Sequence, residues 1–452
     1  MKRLAALVAF LLTINYLVAP QILNFSLDKL PQAMQVSAAM GAKIACSARF
    51  VTGLSPEQIR QDLNSYSPAN DVLDIQYLDN RVTTDFLGIK QASATYRKGI
   101  GCSLDNPNSE LDDVVIAEND NQSQAEWPLG GLSSEQSEEL NQLLADIMQR
   151  DNDTGLDTRA LVVIHNDKLI AESYQKGFDH NTPLLGWSMA KSITAIMQGR
   201  AEALGLLSNQ DQSLFEQWQN DDRKTIKAAD LLTMTSGLAF DESYTPGTDA
   251  TEMLFNQPQA SSVPLAQPLE AKVGERFYYS SGTTNLINLW LYQQLGQSTQ
   301  AQYDFLYQAL FNPMGIENAV FEADSSGVLV GSSYLYANAR DWARFGYLLL
   351  NKGEINGQRL LTEQWVEQAI TANLSNNDSR YGYQLWLNRG SQDDDLRWEN
   401  LPADAYAMRG NRKQIVMVIP SSNAVIVRLG WTKGPYTLQK NFSTILAHLP
   451  KA

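Results

Sequence analysis

Two hairpin patterns set far apart in the chain constrain the fold most. The first is ALVVIH and KLIAESY, joined by the tight-turn pair Asn166-Asp167. The second is QIVMVI and AVIVRLG, joined by PSSN. Each has a helical pattern beside it. Before the first hairpin, Leu140, Leu143, Leu144 and Ile147 form one stripe, and Ser133 with Gln136 suits a capping box at the helix start. After the second, a helical pattern runs from Leu438 to Leu449. Between the hairpins the chain reads as mostly helical. A helix and a hairpin at both ends, bracketing helices, predict an α/β (α+β) fold, with one antiparallel sheet flanked by helices and a helical subdomain inserted.

With 452 residues, 44% of them hydrophobic and 19% charged, the chain can bury a core of that size. A net charge of −15 argues against a nucleic-acid partner, because phosphate binding needs clusters of Lys and Arg, and none stands out. Lys2 and Arg3 precede the apolar run LAALVAFLLTINYLVA, which ends at Pro20. That layout predicts an export segment over residues 1–25, either a signal peptide or an uncleaved inner-membrane anchor. The remainder would then lie outside the inner membrane, in the periplasm or beyond.

Residues 26–130 read as a small, partly β region followed by a polar, acidic linker or extended wrap, and residues 131–452 as the main domain. The two cysteines, Cys46 and Cys102, both fall in the small region. In an exported chain they are expected to form a disulfide worth about 4 kcal/mol on the chain-entropy view, with two buried free thiols as the alternative.

The chemistry centres on GWSMAKSITAIMQGRAEALGLL, starting at Gly186. Ser188 opens a helix whose buried face is expected to comprise Met189, Ile193, Ile196, Met197 and Leu204. Residues three apart share a helix face, so the Ser188 hydroxyl and the Lys191 amine would sit side by side. Burial favours the neutral form of a lysine, which suits proton transfer. The unpaired N–H groups of a helix start can stabilise an oxyanion. The competing reading is an N-cap serine beside a snorkelling lysine, and the spacing alone does not decide. Ser26 and Lys29 share it without any catalytic context.

Two further stretches add context. KAADLLTMTSGL leads a helix into Thr235-Ser236-Gly237, and VGERFYYSSGTTNLINLWL carries Tyr279-Ser280-Ser281-Gly282 into an apolar helix. With SMAK, these resemble the serine β-lactamase and penicillin-binding-protein superfamily. The likeness is greatest to its branch related to class C β-lactamases, esterases and 6-aminohexanoate-oligomer hydrolases, and it spans residues 131–450. The resemblance implies a β-lactamase/transpeptidase-like fold with Ser188 as acylated nucleophile and Lys191 as holder of its proton. It makes Tyr279 a general base or leaving-group acid, where the alternative is a core tyrosine. Ser281 stands where many members have Asn, as a substrate contact. The Lys-Thr-Gly strand motif is replaced by DAYAMRGNRKQIVMVIP, whose Arg409, Gly410 and Gln414 are expected to line the site if they are more than a strand entry.

Other chemistries fit less well. GWSMA lacks the second glycine of a G-x-S-x-G elbow, and His165, His180 and His448 provide neither a well-placed triad base nor an i, i+4 metal pair. A non-catalytic periplasmic binding or sensor module would not need Ser188, Lys191 and Tyr279 together. The expected function is therefore an exported serine hydrolase, without metal or cofactor, acting on a small-molecule or short peptide-like ester or amide. The missing Lys-Thr-Gly motif predicts that short esters, or amides without a carboxylate, are preferred to penicillins. A β-lactamase or D-Ala-D-Ala carboxypeptidase is the alternative.

Overall fold

The computed structural model describes residues 15, 25–109, 111–116, 125–131, 136–391 and 395–450. The expected export segment, apart from Asn15 and Phe25, lies outside them, as does Ser133. No helix among the described residues is long and apolar enough to cross a membrane.

The N-terminal region begins with helix α1 (Leu30–Ser47), with a proline in its first turn. The antiparallel meander β1 (Leu73–Tyr77), β2 (Arg81–Phe86), β3 (Lys90–Arg97) and β4 (Gly101–Leu104) follows. The helix lies on this sheet through small residues, and a Cβ at Gly41 would come within 2.8 Å of Leu73 Cδ1. The region's partly β character was legible, whereas α1 was not. Its run of Ala and Gly has a weak apolar stripe, and tertiary packing rather than periodicity stabilises it.

The main unit opens with α2 (Glu138–Asp153). Its cap is Ser137, whose hydroxyl accepts from Leu140 N at 3.3 Å, so the helix starts later than the expected capping box. Gln136 instead donates to Glu172. The first hairpin pairs β5 (Thr158–His165) with β6 (Lys168–Tyr174). Asn166 and Asp167, at φ 47° and 65°, supply the two left-handed residues of its turn. The inserted helices include α3 (Met189–Ala203), α4 (Asp249–Phe255), α5 (Ser281–Gln294) and α6 (Ala339–Leu350). The chain then returns through β7 (Trp386–Leu387), β8 (Tyr406–Gly410), β9 (Gln414–Ile419), β10 (Ala424–Gly430) and α7 (Leu438–Ala447).

The two hairpins join as expected. The antiparallel sheet runs β7-β8-β9-β10-β5-β6, and Val427 faces Val162 where the two hairpins meet. Because side chains alternate along a strand, one sheet buries two cores. Val162, Ile164, Val416, Val418, Val425 and Val427 pack with α3 and α6 residues such as Ile193 and Trp342. Leu161, Val163, Ile415, Met417 and Ile426 pack with α2 and α7 residues such as Leu144 and Phe442. Burial on both faces explains why these strands read as continuous apolar runs.

One covalent link braces helix against sheet inside the N-terminal region, and two further links tie the region to this unit. A disulfide joins Cys46 at the end of α1 to Cys102 in β4. Aromatic and aliphatic residues of both regions share one cluster, including Ile44, Trp187, Phe255 and Tyr334. Lys43 of α1 pairs with Glu322, both almost fully buried. Glu322 Oε1 also accepts from Ser47 Oγ and Cys102 N, each at 2.7 Å, and the Lys43 amine lies 4.0 Å from the Tyr334 ring centroid. Burial pushes the lysine down and the carboxylate up, while each partner opposes the other's neutralisation. Removing one partner strands a buried charge. Glu322→Leu alone is therefore expected to cost about 3–5 kcal/mol in urea unfolding. Adding Lys43→Met should recover most of that loss, and a double mutant losing the sum of the singles would contradict the coupling.

Candidate active site

Ser188 sits at the start of α3, in a turn whose preceding residue is strained. Trp187 has φ 48°, a left-handed conformation that costs a non-glycine residue about 1–3 kcal/mol unless its surroundings hold it. Tyr66, Tyr334 and Trp431 pack around the Trp187 ring, at centroid distances of 6.0, 6.2 and 6.3 Å. Tyr66 comes from the N-terminal region, so that region helps to hold the turn. The turn leaves Ser188 partly exposed to a cleft, and its N–H finds no acceptor among the described residues. Met189, Ile193, Ile196 and Met197 are buried as expected. Leu204, expected on the same face, is 47% exposed because the helix ends there.

Lys191 is 1% exposed. Its Nζ lies 3.1 Å from Ser188 Oγ, 2.9 Å from Ser281 Oγ and 2.9 Å from the Ser332 carbonyl. Burial lowers its pKa to about 8, and the nearby Glu242 charge limits the fall. The three contacts fit a neutral amine. The Ser332 carbonyl can only accept, and the Ser281 hydroxyl gives its own proton to Glu242 Oε1 at 2.6 Å, so it too accepts from Lys191. Those two acceptors use both N–H bonds of an NH₂ group. In that neutral form the lone pair is left for Ser188 Oγ, whereas the charged amine donates a third N–H to it.

Tyr279 stacks on Trp386 of β7, centroids 5.1 Å apart, and meets Tyr381 edge-on. Burial and the Glu242 charge raise its pKa, while hydrogen bonding to Ser188 and the Arg409 charge pull it back. The net result is a phenol that keeps its proton at neutral pH.

Ser281 is fully buried behind Lys191 rather than on the cleft wall. Its N–H and hydroxyl both donate to Glu242, each at 2.6 Å. Arg409, Gly410 and Gln414 do line the cleft. A Cβ at Gly410 would come within 2.0 Å of the Gly186 carbonyl, so glycine lets the strand approach the serine turn. The Gln414 side chain is committed to the Gly430 backbone at both ends. Arg409 lies over the Trp386 and Trp398 rings and pairs with no carboxylate among the described residues.

The sequence reading missed Glu242 and Tyr244. Both stand on the irregular loop before α4, where no period marks a buried carboxylate. Burial raises the Glu242 pKa, opposed by Lys191 and the Ser281 donors. Tyr244 OH lies 3.3 Å from Glu242 Oε1 and 3.4 Å from Ser281 Oγ. Also missed was Asn285 on α5, whose side chain bonds Ser332 N and Oγ at 3.1 and 3.2 Å and so holds the Lys191 acceptor. The histidines lie elsewhere. His165 binds the Ser422 and Pro450 carbonyls, and neither His180 nor His448 lines the cleft.

No curated protein sequence matches the chain. Among solved structures it resembles a Bacillus anthracis protein described as a candidate 6-aminohexanoate-dimer hydrolase (20% identity, 67% of this chain and 80% of that one, TM-score 0.55). It also resembles a family VIII carboxylesterase (11% identity, 70% and 98%, TM-score 0.55). A third is a penicillin-binding protein from Bacillus halodurans (17% identity, 67% and 98%, TM-score 0.51). At these identities the likeness establishes the fold. The Beta-lactamase family model matches residues 140–443, from α2 to α7 and across Ser188, Lys191 and Tyr279. The chain belongs to the Beta-lactamase family.

Proposed function

We propose that the protein is an exported serine hydrolase that cleaves an ester or amide through an acyl-enzyme on Ser188. The observation that carries this reading is the Lys191 amine, desolvated and 3.1 Å from the Ser188 hydroxyl oxygen, with two further acceptors for its N–H bonds in the neutral form. A free serine is a weak nucleophile and needs such a base. In the proposed cycle Ser188 Oγ attacks the carbonyl carbon as its proton passes to Lys191 Nζ. The oxyanion is held by the Ser188 N–H at the helix start. The Tyr279 phenol protonates the departing alcohol or amine and regains a proton from Lys191. Water then cleaves the acyl-serine by the same relay, releasing the acid and restoring Ser188. The raised pKa of Tyr279 favours its role as acid over that of phenolate base.

Export is supported by the disulfide, which forms and persists in oxidising compartments, together with the apolar run near the N-terminus. A carboxylate-bearing substrate, as in a β-lactamase or a D-Ala-D-Ala carboxypeptidase, finds one favouring feature in Arg409 without a carboxylate partner. Because no Lys-Thr-Gly strand accompanies it, the preferred substrate is an ester or amide lacking that carboxylate.

The pH dependence tests the base. Only the neutral amine can accept the proton, so kcat/KM should be full above the Lys191 pKa of about 8 and fall as pH drops through it. The Glu242 charge raises that pKa, so Glu242→Gln should move the acidic limb to lower pH. A limb that stays put or moves up contradicts the assignment of base and neighbour. For substrate class, kcat/KM for a p-nitrophenyl ester should exceed that for a chromogenic cephalosporin by at least ~10²-fold, the scale of one misplaced reacting group. Ser188→Ala should abolish both ester turnover and fluorophosphonate labelling. Fast cephalosporin turnover with slow ester cleavage would favour the β-lactamase reading, and a folded wild-type protein that neither labels nor turns over would favour a binding module.

A further inference from the structure

The cleft that exposes Ser188 has a volume of about 980 Å³, at the top of the ~300–1,000 Å³ range of small-molecule sites. A short ester would occupy a small part of it. Much of its lining comes from the N-terminal region, outside the segment matched by the family. Leu30, Ala33, Met34, Val36 and Met40 of α1, with Phe86 of β2, form an apolar wall that continues to Tyr66, Trp187 and Ser188. No charged residue among the described residues of that region lines it. Two of its polar side chains are committed to each other and to the backbone, since Ser37 Oγ donates to Asn70 Oδ1 at 2.6 Å and Asn70 Nδ2 donates to the Leu63 carbonyl at 2.8 Å. Along α1 and Phe86 a peptide or sugar would meet apolar side chains in place of its lost water hydrogen bonds.

The lining contributed by the main unit is different. It carries Trp386, Arg409 and Lys413, and Tyr279 stands with Trp386. A leaving group protonated by the Tyr279 phenol would lie on that cationic, aromatic side. The acyl side then faces the Trp187–Tyr66 pair and the α1 wall.

We propose that the N-terminal region is an acyl-chain subsite, and that the substrate is an ester or amide of a long, unbranched fatty acid whose hydrocarbon arm lies along α1. This rests on the Ser188 acyl-enzyme reading and departs from the short-ester expectation, because α1 was not foreseen. The arm gains by leaving water for an apolar wall continuous with the nucleophile.

The test uses the full chain and p-nitrophenyl esters from butanoate to decanoate, each below its micelle concentration. Each buried methylene contributes about 0.8 kcal/mol, so kcat/KM should rise about fourfold per methylene early in the series. Ala33→Trp puts bulk into the wall and should cut the decanoate-to-butanoate ratio at least tenfold. Product inhibition of the wild-type protein needs no variant, and decanoate should inhibit far more strongly than butanoate. A flat or falling chain-length profile, or an inhibition constant independent of length, overturns the subsite. It would leave the wall to another occupant, such as the chain's own apolar residues 4–19. Ester hydrolysis with a flat profile defeats this inference alone, whereas failure to hydrolyse any ester or to label Ser188 defeats the reading beneath it.

Discussion

The site depends on taking one lysine out of water. A charged ammonium buried among apolar helices is costly, and the protein meets that cost by favouring the neutral form, which a proton acceptor requires. The neighbours of Lys191 follow from this. Two acceptors, Ser281 Oγ and the Ser332 carbonyl, can take both N–H bonds of the neutral amine beside Ser188. Asn285 fixes one of them, and Glu242 fixes the other by taking the Ser281 proton. Glu242 also keeps the lysine pKa from falling further, as the proposed proton transfer from Ser188 requires. A base with its pKa near the working pH combines availability with driving force.

The second constraint is the N-terminal region, which the structure makes part of the site. α1 is held by the Cys46–Cys102 disulfide and the buried Lys43–Glu322 pair, and Tyr66 supports the strained Trp187 before Ser188. The solved structures of this fold named above cover 67–70% of the chain. The common fold thus supplies the Ser188 neighbourhood, and the N-terminal region supplies the wall that makes the cleft deep and apolar.

What was legible in the sequence was what repeats with a period or stands close in the chain. The two hairpins announced themselves by apolar runs around turn residues, and their joining into one antiparallel sheet followed from the helices between them. Ser188 and Lys191 are neighbours by helix geometry, and Tyr279 was reached through its motif. Groups brought together by the tertiary fold were not legible. Ser281 was expected at the substrate because of its motif position, but the start of α5 turns it inward toward Lys191. Gln414 lines the cleft, yet its amide is spent on Gly430, a contact across a strand pair. Glu242 lies on an aperiodic loop, and its burial depends on α3 and α5, which come from other parts of the chain. The missed α1 has the same origin, since its small residues gain stability from the sheet beneath rather than from an amphipathic pattern.

The protonation of Lys191 can be observed directly. With lysine labelled at ¹³Cε and the Lys191 resonance identified by its loss in Lys191→Arg, an NMR pH titration reports the state of this amine without relying on turnover. The predicted result is a midpoint near 8, more than two units below the ordinary lysine value of 10.5. A midpoint at or above 10.5 would mean that burial does not favour the neutral amine over the charged one, and that Lys191 is not the base proposed for this site.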